Sequence, residues 1–179
     1  AATVSAMPDS PSSVNRDLRD LVDPVVVVAF GGWNDAGNAA TGAIEHLAEA
    51  YQAEPVDALD PDDFYDFQVN RPRVAFTEDD DREVTWPTTE LKIARLPDGR
   101  DLILVEGLEP NLRWRQFSTM LASALSSANV RRVHLLGALL ADTPHTRPIP
   151  VSVSTTNREL MKQLGLAPAT YEGPTGIIG

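Results

Sequence analysis

The sequence contains no cysteine, which rules out disulfides, thiolate catalysis and cysteine-based zinc sites. A chain without thiols suits a reducing compartment, and a cytoplasmic location is expected. Histidine is nearly as scarce. The three present, His46, His134 and His145, are scattered and make no metal motif, so neither a metal nor a cofactor is expected. Basic residues are also few, with 15 Lys+Arg against 26 Asp+Glu and a formal charge of −11. No apolar run approaches the ~20 residues that a membrane helix needs. The opening "AATVSAMPDSPSSVNRD" lacks the basic end and apolar run of a signal peptide, and residues 1–20 are expected to form a flexible leader.

The acidic excess is concentrated. Between Glu54 and Glu83 eleven acids stand against three arginines, Arg71, Arg73 and Arg82. Such a face repels a phosphate backbone and an anionic bilayer, so no nucleic-acid or membrane partner is expected. The same stretch carries Phe64, Tyr65, Phe67, Val69 and Phe76, with Trp86 just beyond it. Aromatic residues inside a polar rim have the make-up of a protein interface. Self-association is expected there, the other reading being a solvated loop held by a few core anchors.

What is present belongs to a globular α/β protein. The 179 residues are 42% hydrophobic and 23% charged, which is enough for one domain with a substantial core. Val25 to Phe30 is a continuous apolar run, as in a strand buried on both faces. Asn34 or Asp35 can cap a helix whose stripe is Ala36, Ala40, Ala43, Ile44, Leu47 and Tyr51. Val56 to Leu59 then reads as a strand completing a β-α-β unit, and Asp60 to Phe67 as a capped turn or loop. Val84 to Trp86, Leu91 to Leu96 and Leu102 to Val105 are further strands. The last two are joined by the turn Pro97–Arg100 and are therefore antiparallel. Trp114, Phe117, Met120, Leu121, Ala124, Leu125 and Ala128 mark a second helix, with Trp114 as a core anchor. Val133 to Leu140 is another buried strand, and Asn157 to Leu164 a last helix ended by Gly165. Residues 21–179 are thus expected to form a three-layer α/β/α sandwich around a mixed sheet. The uncapped apolar end "GPTGIIG" suggests a protein that continues past Gly179.

Three stretches have residues suited to chemistry. In Gly31–Asn38 the glycine spacing approaches a P-loop, but Asn38 replaces the phosphate lysine and Ala39 the magnesium ligand. What remains is a tight turn opening a helix, with Gly32, Asn34 and Asp35 able to hold an anion or carbonyl, or simply to let helix and sheet pack closely. In "VEGLEPNLRWRQF", Glu106 lies at a strand end, where ligands bind in open α/β sheets, and Arg113 at the next helix start. They are candidates for a pocket or for a structural ion pair. In "ALLADTPHTRPIP", His145 is a candidate base oriented by Asp142, with Arg147 beside them. The other reading is a structural or interface histidine. No G-x-S-x-G or other nucleophile motif accompanies them.

In order, "AFGGWNDAGNAATGAIEHL", "DFYDFQVNRPRV", "EGLEPNLRWRQF", "ALLADTPHTRPIPV" and "YEGPTGIIG" resemble the proteasome assembly chaperone 2 family in its actinobacterial branch, over about residues 24–179. The resemblance implies an α/β/α fold similar to purine nucleoside phosphorylases and a further helical C-terminal segment. It implies no established reaction and no catalytic set. Two functions follow as expectations. One is an assembly, scaffold or chaperone-like protein, a homo-oligomer (trimer or hexamer) with a proteasome-related or other protein partner. The other is a nucleoside- or sugar-directed hydrolase or phosphorylase whose pocket gathers Gly32, Asn34, Asp35, Glu106, Arg113, Asp142, His145 and Arg147.

Overall fold

The computed structural model describes residues 18–78 and 80–179, so most of the leader assigned to residues 1–20 lies outside the described residues. The chain divides into two compact units. The first runs to Leu139 and takes back Gly176–Gly179; the second is Leu140–Thr175.

The first unit is built on a five-stranded mixed sheet in the order β2-β5-β6-β1-β7. Its strands are β1 (Val25–Gly31), β2 (Glu54–Ala58), β5 (Thr89–Arg95), β6 (Asp101–Leu108) and β7 (Val133–Leu136). β1 lies parallel to both β6 and β7, Val26 pairing with Ile103 and with Val133. β5 runs antiparallel to β6 and to β2. The alternation of side chains along each strand sorts two cores onto opposite faces. Val26, Val28 and Phe30 of β1, with Leu91, Ile93, Ile103 and Val105, pack with Phe117 and Leu125 of α2 (Trp114–Ser127). Ala29, Ala94, Leu102 and Leu104 pack with Ala40 and Ile44 of α1 (Ala39–Ala50). Helix, sheet and helix make the three layers that the sequence pattern predicts.

Four details differ from the sequence reading. β2 does not complete a β-α-β unit; it is an edge strand antiparallel to β5. Pro55 lacks the N–H that a central strand must donate, which suits it to an edge. The strand starting at Val133 stops at Leu136, short of Leu140, and is largely exposed rather than buried, because it lies at the sheet's edge. Trp114 is exposed, and the anchor of α2 is Phe117, edge-on to both Phe30 and Phe64. Finally, β3 (Arg73–Phe76) is absent from the sequence reading; it pairs with β4 (Arg82–Thr85) as a separate two-stranded hairpin.

In the second unit, α3 (Arg158–Leu164) starts where the sequence places it. The Asn157 side chain accepts from the Glu159 and Leu160 amides at 3.0 Å, and Gly165 ends the helix at φ 62°.

Candidate functional site

Three parallel strands, β6, β1 and β7, point their carboxyl ends the same way, and the chain leaving each contributes to one cluster. After β1 comes the turn Gly32–Asp35. Asn34 and Asp35 are only 7% and 5% exposed, an unusual degree of burial for such groups. The cap position of α1 is Asn38, not Asn34 or Asp35, and its side chain makes no capping bond; Asp35 supports the helix start from three residues further back. Its carboxylate accepts from the Ala40 amide at 2.7 Å and from the Thr41 amide and hydroxyl. All of it serves the start of α1, with Asp35 lying ahead of a short 3-10 turn that precedes the helix.

After β6 comes Glu109, whose amide donates to the Gly31 carbonyl at 2.8 Å. Its carboxylate Oε1 accepts from Asn34 Nδ2 at 3.1 Å and from the Ile177 amide at 2.7 Å. After β7 comes Ala138, whose amide donates to the Asn34 carbonyl at 2.7 Å and whose carbonyl accepts from the Ala36 amide at 3.0 Å. The fourth contributor is the returning strap Gly176–Gly179. Ile177 and Ile178 pack against the α2-side core and line a cavity of about 300 Å³ beside Phe30, Phe117 and Leu121. The strap fits only because two positions lack side chains. A Cβ on Gly176 would collide with the Asn34 amide, and one on Gly137 would lie 2.7 Å from the Ile178 Cδ1.

Asn34 and Asp35 therefore meet at this edge, beside the Gly32 turn. Glu106 takes another place. β6 extends to Leu108, so Glu106 lies within the ladder, opposite Ala29 and Glu90, rather than at the strand's end. Its carboxylate pairs with Lys92 at 3.3 Å, and Lys92 also reaches Glu90 at 3.5 Å. Burial acts to lower the pKa of Lys92, but the Glu106 and Glu90 carboxylates outweigh it and hold the ammonium above its ordinary value. Arg113 has a left-handed backbone (φ 53°) just ahead of α2, and its guanidinium pairs with Asp63 rather than with Glu106, whose partner is Lys92. Asp142, His145 and Arg147 are exposed residues of the second unit, on a loop turned by an Arg147 amide to Pro144 carbonyl bond of 2.9 Å.

The residue that the sequence reading misses is Glu109. It is the first residue past β6, directly before the buried Pro110, a position that the apolar run ending at Val105 does not reveal. Behind the edge, the Tyr65 hydroxyl shares a 2.9 Å hydrogen bond with Thr89 and donates to the Leu108 carbonyl. Burial raises the Tyr65 pKa, against a smaller lowering by the Thr89 bond. Among the described residues no group of three or more His, Cys, Asp or Glu is placed to hold a metal ion, and no helix is long and apolar enough to cross a membrane.

A PAC2 family model matches residues 29–179. The structure of a PAC2 family protein from Streptomyces avermitilis is similar at 50% identity and a TM-score of 0.83, covering 87% of this chain and 67% of that one. A Mycobacterium tuberculosis proteasome-assembly chaperone homologue is similar at 49% identity and a TM-score of 0.78, covering 86% of this chain and 65% of its own. A second Mycobacterium tuberculosis protein, of unknown function, is similar at 32% identity and a TM-score of 0.73, covering 87% and 54%. This chain thus spans about two thirds or less of the length of these relatives. No protein of curated function matches the sequence. A match over most of the chain, and 50% identity to a protein of the same layered architecture, give one conclusion: the chain belongs to the PAC2 family.

Proposed function

We propose that the protein is an assembly or chaperone-like scaffold of the cytoplasm, which self-associates and engages a protein partner through its surfaces. The observation that carries this reading is the state of the carboxyl edge. Asp35 is engaged in starting α1, and Glu109 is engaged by Asn34 and by the chain's own Ile177. Glu106, inside β6 rather than at the edge, is paired with Lys92. Polar groups already paired within the fold are poorly placed to bind and turn over a substrate, because a ligand must first break those bonds. The name of the Mycobacterium tuberculosis relative, a proteasome-assembly chaperone homologue, supports a proteasome-related partner. Light scattering on the protein at micromolar concentration tests self-association. A trimer or hexamer of the 19.4 kDa chain is expected, and a monomer overturns it.

The enzymatic reading keeps one observation in its favour: the Gly32 turn lies at the carboxyl ends of parallel strands, where open α/β sheets bind ligands. On that reading Gly32, Asn34, Asp35, Glu106, Arg113, Asp142, His145 and Arg147 serve a nucleoside- or sugar-like ligand. A thermal-shift screen with nucleosides and sugars tests it; no shift with any of them removes it.

A further inference from the structure

We draw no further inference here: the strongest candidate, the apolar groove of about 300 Å³ between α2 and the edge strand β7, walled on one side by Ile177 and Ile178, carries nothing, because nothing in the structure shows what covers it.

Discussion

The five-stranded sheet and the β3–β4 hairpin obey the same local rule and end in opposite states. In the sheet both faces are covered: Phe117 and Leu125 lie over one and Ala40 and Ile44 over the other. In the hairpin Val74, Phe76 and Val84 share one face with Arg82 and lie exposed. A strand pattern records which side is apolar and is silent on what completes it. Where the cover lies within the chain, burial contributes stability. Where the chain itself provides none, the same residues contribute little to its fold, and mutation of the two regions should change stability to unequal degrees.

Phe117→Ala should have the largest effect, because the side chain is fully buried and meets two aromatic rings. A loss of about 3–5 kcal/mol is expected in urea unfolding. A loss below about 1 kcal/mol would show that the α2 layer is not the cover that the comparison assumes. Glu109→Ala comes next. It leaves the Asn34 amide and the Ile177 N–H without their acceptor, which costs about 1–3 kcal/mol. It should also speed hydrogen exchange at the Ile177 amide, and protection equal to wild type would contradict the strap's attachment. Asp35→Ala removes the acceptor of the first α1 amides and should cost about 1–2 kcal/mol by the same measurement.

A smaller effect is expected with pH. Lys92 and Tyr65 both hold their protons more tightly in the folded chain than in the unfolded one. Their contribution is therefore complete below the ordinary lysine and tyrosine values, near 10, and falls away as pH rises through the folded ones. Urea midpoints measured from pH 8 to 11 should decline at the alkaline end, less steeply in Lys92→Met; an equal slope in that variant removes Lys92 from the account. Smallest of all, Phe76→Ser should leave the urea midpoint within about 0.5 kcal/mol of wild type. A larger loss would place Phe76 in the folded core and dissolve the contrast between the two regions.

Much of the sheet was legible because β1 and β6 are apolar on both faces, and only a central strand is so. The Asp35 bonds to the start of α1 and the Asn157 cap of α3 were legible because each is a local hydrogen bond within a few residues, although the cap position of α1 falls at Asn38. The partner of β2 was not. Its pairing with β5 bridges a long sequence gap, and nothing near Val56 encodes direction. β3 was hidden because its few residues follow Arg71–Pro72 and have no core to face. The six aromatic and aliphatic residues in and beside the acidic segment divide in a way that composition conceals. Phe64 and Tyr65 are core anchors and Phe67 packs half-buried against their cluster, whereas Val69, Phe76 and Trp86 are exposed. At the candidate site, Glu106 attracted attention because the apolar run ends at Val105, but hydrogen bonding carries β6 on to Leu108 and passes the edge position to Glu109.

The return of Gly176–Gly179 to the first unit has a consequence in polymer terms. With Leu139 and Gly176 both belonging to that unit, Leu140–Thr175 is a loop closed at its two ends, one end secured by the Ile177 amide and the two isoleucines. The entropy of closing a flexible loop grows only with the logarithm of its length, so even doubling the segment adds about 0.6 kcal/mol. The first unit should therefore tolerate changes of length in the loops between Leu140 and Thr175, while a side chain at Gly176 would have to displace the Asn34 amide from the closure itself.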